Sequence, residues 1–360
     1  MDTWKLLAAI RGPVDTLFEH FENMSHTAAC RTLLEMDVFD KLPLDGSSIT
    51  ATDLAGSLGV DKPLLIRLMR MATVKGPIAE VGPESYAHTP YSQMYIVPAL
   101  RGLVKLMLDE YWPPMARMCE FLKEDGWKNP ESETHNPYTF AHQTGGKSMW
   151  EHIDQYPDRA QTFNFAMQSQ TQAAMPTVAI FPFEAELGKF ETQDDTPLVV
   201  DVGGGKGHTT FRIKELCGPI KGRVILQDRS AVIDDISEPL LGVEKMKYDF
   251  FTPQPVKGAL IYYIRRCLHD WSDEDCVRIL KVVADAMEPG KSRLLIAEMC
   301  LPEEKADIEA VWYDMTMMTL NGRERTKGDW TKILDDAGFN LKKVYTATGS
   351  NYGVVEAYLK

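Results

Sequence analysis

Leu198-Val199-Val200-Asp201-Val202-Gly203-Gly204-Gly205-Lys206-Gly207-His208 decides the fold. An apolar run ends in an acid, a glycine cluster follows at once, and apolar residues return at helical spacing at Phe211, Ile213 and Leu216. This pattern predicts a buried parallel strand, a tight turn and the N-terminus of a helix. Glycine lets the backbone turn sharply and lets a ligand lie against it without a Cβ in the way. The helix N-terminus offers free N–H groups and a partial positive charge to an anionic group.

The dinucleotide fingerprint Gly-x-Gly-x-x-Gly is incomplete here. Glycines stand at Gly203, Gly205 and Gly207, and His208 occupies the place of the last one. Asp201, just before the turn, would repel a pyrophosphate but suits a cationic ammonium. S-adenosylmethionine carries an ammonium and a carboxylate and no phosphate. For the loop alone, a tight turn without a ligand competes with this reading. Two later acids add weight. Gly222-Arg223-Val224-Ile225-Leu226-Gln227 is a second apolar strand, and it ends in Asp228. That acid lies about twenty residues past the glycines, the spacing of one that binds ribose hydroxyls. A third strand, Lys245-Met246-Lys247-Tyr248, runs into Asp249-Phe250-Phe251, a carboxylate for an adenine amino group beside aromatic faces for its ring.

The 360 residues are enough for two domains. A net charge of −13 argues against nucleic acid or an anionic membrane as partner, since both select a basic face. No apolar run approaches the ~20 residues of a membrane span. The start, Met1-Asp2-Thr3-Trp4-Lys5-Leu6-Leu7, soon followed by Asp15, Glu19 and Glu22, reads as an amphipathic helix without the apolar core of a signal peptide. The six cysteines, at 30, 119, 217, 267, 276 and 300, contain no Cys-x-x-Cys pair, so we expect reduced thiols, no metal site and a cytoplasmic location.

Residues 1–110 read as helical. Cys30–Asp40 has helical apolar spacing, Thr50 caps a helix over the next residues, and Asp61 caps one from Leu64 to Val74 with Pro63 in its first turn. Ile78–Val81 and Tyr86–Thr89 flank a Gly82-Pro83 turn as a short hairpin. Helices plus hairpin predict a winged helix. Its would-be recognition helix, Leu64-Leu65-Ile66-Arg67-Leu68-Met69-Arg70-Met71, is too apolar for a DNA groove and is better buried, in part against a second subunit. Residues 101–190 are dense in Met, Trp, Phe and Tyr. Met149, Trp150, Phe163 and Met167 are either ordinary core or the wall of an apolar pocket for a flat substrate.

From 197 onward strands and helices alternate, which predicts a doubly wound parallel sheet. Ala259–Ile264 is its fourth strand, Leu294–Glu298 its fifth, and Leu341–Lys360 supplies two closing strands around Gly349-Ser350-Asn351-Tyr352-Gly353. The fourth strand runs into Arg265-Arg266-Cys267-Leu268-His269-Asp270-Trp271-Ser272-Asp273-Glu274. Ligands bind beyond the carboxyl ends of such strands, so His269 lies on the ligand side. Glu298 ends the neighbouring strand, and Asn321-Gly322-Arg323-Glu324-Arg325-Thr326 brings another acid in a loop. One His with two carboxylates is the arrangement of an oriented general base.

The Asp201–Gly205 run, Leu268–Glu274 and Gly322-Arg323-Glu324-Arg325-Thr326 together resemble the signatures of plant and fungal small-molecule O-methyltransferases of the caffeic acid O-methyltransferase layout, over nearly the whole chain. The resemblance implies a class I methyltransferase fold at the C-terminus (191–360), a winged-helix dimerisation domain at the N-terminus (1–110) and a helical linker and substrate-pocket segment between them (111–190). It implies that Gly203, Gly205, Asp228, Asp249, Phe250 and Arg265 join Asp201 in holding S-adenosylmethionine. Arg265 stands where plant members typically have Lys, which keeps the charge. His269 is then the base, flanked by Glu298 and Glu324, with Asp270 beside it in the substrate pocket. The Arg-Arg and Leu-His-Asp-Trp runs are similar to those of fungal secondary-metabolite enzymes acting on aromatic natural products.

Three other readings compete. Some fungal relatives of this family bind S-adenosylmethionine yet catalyse dehydration or pericyclic steps; their base motif tends to be altered, whereas His269, Asp270, Glu298 and Glu324 are all present here. A winged-helix regulator is disfavoured by the acidic charge. A nicotinamide dehydrogenase is disfavoured by Asp201 and the missing third glycine.

Overall fold

In the computed structural model, residues 3–173, 175–237, 239–346 and 350–360 are described. The chain forms two compact units, Met1–Glu110 with Tyr156–Ser169, and Tyr111–Gln155 with Gln170–Lys360. Residues 111–190 are thus divided between them.

The first unit starts with the helix Thr3–Glu35, which breaks at Gly12 (φ 77°) before Pro13. The predicted caps form: Thr50 accepts from the Asp53 amide at 3.1 Å and Asp61 from the Leu64 amide at 3.0 Å, opening the helices Ala51–Leu58 and Lys62–Val74. Such a cap contributes about 1 kcal/mol. The hairpin strands β2 (Ala79–Gly82) and β3 (Ser85–Ala87) are joined by a third, β1 (Ile49–Thr50), giving the order β1-β3-β2. The sequence reading missed β1 because two residues carry no periodicity. The would-be recognition helix buries Leu65, Met69 and Ala72 against Leu33, Phe39 and Leu54 and turns Arg67 and Arg70 outward. Along the first helix Leu6, Ile10, Val14, Leu17, Phe18, Phe21 and Met24 are exposed.

The second unit is built on one sheet. β4 (Pro197–Val202), β5 (Arg223–Asp228), β6 (Val243–Lys247), β7 (Ile261–Arg265) and β8 (Arg293–Leu301) are parallel in the order β8-β7-β4-β5-β6. A two-residue strand, β9 (Arg325–Thr326), pairs with β8. The closing strands β10 (Phe339–Thr346) and β11 (Tyr352–Leu359) correct the all-parallel expectation. They are antiparallel, and β11 lies between β10 and β8. Only five residues separate the two strands, too few for a crossover, so a hairpin is forced. Gly349 of that connection lies outside the described residues.

Side chains alternate between the sheet's faces. Val200, Val202, Tyr262, Ile264, Leu294 and Ile296 pack with Ile279, Leu280 and Ile333 from the helices Asp273–Ala284 and Lys327–Asp336. Val199, Ile261, Tyr263 and Leu295 pack with Phe183, Leu187 and Ile213 on the other face. A fully buried Val, Leu or Ile contributes roughly 1.5–3 kcal/mol, so double-sided burial makes this sheet a rigid base. The chain leaves β4 outward to β5 and β6, then returns to β7 on β4's other side. The carboxyl ends of β4 and β7 flank that reversal, which is where open α/β sheets hold ligands.

Candidate active site

Four neighbouring strands deliver the expected ligand residues to one edge of the sheet. Arg265 ends β7, Asp201 and Gly203 close β4, Asp228 ends β5, and Asp249 follows β6. The glycine turn has Gly203 at φ 74° and Gly205 at φ 60°, left-handed values that favour glycine. A Cβ on Gly204 would lie 2.5 Å from Leu226 Cδ1 and 2.7 Å from Asp201 Oδ2, so the turn is pressed onto its own strand. A Cβ on Gly205 would meet nothing within 4 Å, so this glycine faces open space. The helix His208–Leu216 starts directly after, with no side chain capping its first amides.

Asp201 lies beneath the turn, fully buried. Its Oδ2 accepts from Thr210 Oγ1 at 2.6 Å, while Oδ1 is buried with no hydrogen-bond partner among the described residues. Burial pushes its carboxyl up to about 6, against the pull of the Thr210 hydrogen bond and the Arg265 charge. Arg265 Nη1 donates to Thr209 Oγ1 at 2.9 Å. Asp228, expected to bind ribose hydroxyls, is hydrogen-bonded to main chain: Oδ2 accepts from the Gly205 amide at 2.8 Å and Oδ1 from the Arg229 amide at 2.7 Å. Asp249 is exposed and accepts from the Phe251 amide at 3.0 Å. Phe250 and Phe251 both stand edge-on to Trp271, with centroids 5.7 and 5.0 Å away. Trp271, read in the sequence only as part of the Leu-His-Asp-Trp run, completes this aromatic cluster.

His269 sits in the short turn Leu268–Asp270 after β7, buried. Its Nδ1 is 2.7 Å from Glu324 Oε1, and its Nε2 is 3.7 Å from Asp270 Oδ1. Glu298 is also near, with Oε2 3.9 Å from Nδ1, but its hydrogen bonds go elsewhere. Glu298 Oε1 accepts from the amides of Cys267 and Leu268 at 2.9 and 3.0 Å, which ties the His269 turn to β8. Burial alone would lower the His269 pKa, but the charges of Glu324, Asp270 and Glu298 outweigh it and raise it to about 10. Burial pushes the Glu298 and Asp270 carboxyls up, and the His269 charge offsets part of that. With Glu324 accepting at Nδ1, the ring's other nitrogen is the one that can take a proton.

Two residues packed on this turn escaped the sequence reading as site elements. Arg325 is fully buried and donates to the carbonyls of Leu268 (2.9 Å) and Trp271 (2.7 Å) and to Asp273 Oδ1 (2.9 Å). Gly322 packs directly on the His269 backbone. Both lie in the Gly-x-Glu-Arg-Thr run, whose unusual density of glycine and arginine was the available signal.

The apolar candidates fall in different units. Met149 is buried in the second, where Tyr111 Oη donates to its sulfur at 4.0 Å, and Trp150 is half-buried beside it. Phe163 and Met167 are half-buried on the helix Pro157–Ala173, in the first unit. Asp270 Oδ1 lies 3.7 Å from His269 Nε2.

Residues 127–340 match the O-methyltransferase domain family, and residues 18–98 match the O-methyltransferase dimerisation domain. The chain is 42% identical over 361 residues to the O-methyltransferase kntB of Aspergillus niger, covering all of this chain and 87% of that one. The crystal structure of OxaC in complex with SAH and oxaline superposes with a TM-score of 0.90 at 36% identity, covering 99% of this chain and 91% of that one. A pericyclic reaction enzyme superposes with a TM-score of 0.87 at 26% identity, covering 99% of this chain and 92% of that one.

Proposed function

The chain belongs to the O-methyltransferase family, and from that premise we propose how its residues carry out S-adenosylmethionine-dependent O-methylation of a secondary metabolite. It is an enzyme of that activity, and its cofactor is S-adenosylmethionine. The crevice fits this cofactor. Gly205 leaves open space at the turn, Asp201 keeps a buried carboxylate oxygen without a partner, and Phe250 and Trp271 offer aromatic surface beyond Asp228 and Asp249. Gly203 and Arg265 complete the set of residues assigned to holding it.

When bound, the cofactor supplies an electrophilic methyl group on a cationic sulfur. The chain's own residues supply the rest. Glu324 holds the proton on Nδ1 of His269, and Nε2 accepts the proton of the substrate hydroxyl. Glu298 anchors the backbone before His269, and its charge with that of Asp270 stabilises the imidazolium that forms. Part of the rate enhancement comes from holding the hydroxyl and base in a fixed geometry. The observation that carries this reading is the 2.7 Å pair of His269 and Glu324 at the carboxyl end of β7.

The substrate we propose is a flat, largely apolar aromatic natural product bearing a phenolic or enolic hydroxyl. Supporting this are Met149, buried, and Trp150, half-buried, in the same unit as His269. The match over 18–98 supports a homodimer, and the net charge of −13 speaks against nucleic acid or a membrane surface as partner. No helix among the described residues is long and apolar enough to cross a membrane.

The test is incubation with methyl-labelled S-adenosylmethionine and a panel of phenolic polyketides, quinolones and indole alkaloids, read by mass. A labelled product is expected. In His269→Ala the transfer falls by ~10²–10⁴-fold while cofactor binding persists. A substrate that isomerises or loses water without taking up label would overturn methyl transfer in favour of the chemistry of the pericyclic neighbour.

A further inference from the structure

We propose that the two carboxylates behind His269 form, with its Nδ1, a zinc site that switches the base off. Glu298 and Glu324 reach this place from positions distant in the chain, with side chains only 1% and 2% exposed. One oxygen of each, Glu298 Oε2 and Glu324 Oε2, is buried with no hydrogen-bond partner among the described residues. Both residues line a small cavity together with Arg266, His269, Met299, Tyr313 and Tyr352. An unpartnered buried carboxylate oxygen is costly, and it is relieved by a donor or a cation. Three carboxyl groups, counting Asp270, surround one imidazole here.

The donor set selects the ion. The ligand atoms of His269, Glu298 and Glu324 all lie within 4.8 Å of one another. Four ligands at zinc's usual 2.0–2.2 Å bond lengths stand about 3.4 Å apart in a tetrahedron. The observed separations from Nδ1, 2.7 Å to Glu324 Oε1 and 3.9 Å to Glu298 Oε2, bracket that value, so small side-chain rotations suffice. One imidazole nitrogen and two carboxylate oxygens leave a fourth position for water. Imidazole favours zinc over magnesium or calcium, which take all-oxygen sites.

The consequence for the base is a matter of tautomers. Zinc takes the place of the proton on Nδ1; that proton leaves to solvent and Nε2 takes one up in its stead. The ring stays neutral with its one hydrogen on Nε2, which can no longer accept a proton. Zinc binding stands on the ligand geometry alone. The loss of turnover rests on His269 being the base, so the two are read separately.

The experiment is equilibrium dialysis of the full-length protein against zinc, alongside methyl-transfer rates at the same zinc concentrations. The expected result is one zinc per chain, with half-inhibition at the concentration that half-fills the site and full recovery on adding EDTA. Glu298→Gln keeps a carbonyl oxygen for the Cys267 and Leu268 amides and replaces only the unpartnered oxygen by an amide. It and His269→Ala should each weaken zinc binding at least tenfold, with melting curves checking that both are folded. Cobalt should give visible absorption bands that His269→Ala abolishes. Cys119→Ser should change nothing. No bound zinc, or zinc held equally well by both variants and hence by thiols, overturns the site. Zinc bound here with turnover unchanged overturns the switch.

Discussion

The carbonyl oxygen of His269 occupies the place where Gly322 would carry a side chain. A Cβ on Gly322 would stand 2.2 Å from that oxygen and 3.1 Å from the Cα of Asp270. The next amide, of Arg323, donates to the same carbonyl at 2.9 Å. The loop that carries Glu324 is therefore laid backbone-to-backbone on the turn that carries His269. Their side chains meet because their main chains do.

Gly322→Ala should uncouple the pair. The obstacle is main chain and cannot swing aside, so either the His269 turn or the Glu324 loop must shift. Overpacking of this kind costs about 1–3 kcal/mol. We expect a lower melting temperature and a kcat at least tenfold lower, with S-adenosylmethionine affinity within a few-fold of wild type. Calorimetry and steady-state rates check this. A variant with unchanged kcat would sink the idea that this contact positions the base.

The pH dependence should follow the His269 environment. Its pKa is raised to about 10 from an ordinary 6.5, so in the ligand-free enzyme the base is neutral only at high pH. Because kcat/KM reports the free enzyme, it should climb with pH towards about 10. The same shift acts on stability with a definite sign. A histidine whose folded pKa is raised contributes stability that is fully present below pH 6.5 and lost as pH rises through about 10. Glu324→Gln removes the nearest charge while keeping an acceptor for Nδ1. The kcat/KM limb should then move to lower pH, and the fall in melting temperature over that window should flatten. An unmoved limb would assign the profile to another group.

The glycine turn and the strand-end acids were legible because a buried parallel strand, a turn and a helix each leave a local signature. His269, Glu298 and Glu324 were legible as a set because His269 follows one strand, Glu298 ends its neighbour and Glu324 lies in a loop beside them. Their division of labour was not. Glu298 was expected beside the ring, yet its hydrogen bonds hold the amides of Cys267 and Leu268, a partnership made only when β8 pairs with β7. The place of β11 between β10 and β8 was equally hidden, since strand order is set by packing and not by local pattern. Arg325 reads in sequence as a surface charge. Its burial depends on three acceptors, two of which are carbonyls about 55 residues earlier.

Arg325→Lys should test whether a fork, rather than a charge, holds the His269 turn. Arginine reaches Leu268 O, Trp271 O and Asp273 Oδ1 at once, and lysine's single ammonium cannot. A buried acceptor left without a donor costs about 1–3 kcal/mol. We expect a clear drop in melting temperature and a fall in kcat, although charge and approximate length are retained. If lysine supports wild-type values, the site needs only the charge.

Asp201→Asn should separate stability from binding. Burial raises this carboxyl from 3.8 to about 6. A carboxyl raised in the folded state lowers stability as pH climbs from 3.8 through about 6, and above that window the full cost persists. An asparagine avoids that cost and keeps an oxygen for Thr210 Oγ1. The variant should therefore melt higher than wild type at pH 7–8, and the gap should close towards pH 4. Its cofactor affinity should fall at least tenfold, because the unpartnered Oδ1 is the oxygen assigned to the ammonium group. Melting temperatures across that range, with S-adenosylmethionine titrations at pH 7.5, measure both. Higher stability with unchanged affinity would mean that Asp201 shapes the turn without sensing the ligand. Lower stability would mean that the charge is needed to hold Thr210 and Arg265 in place.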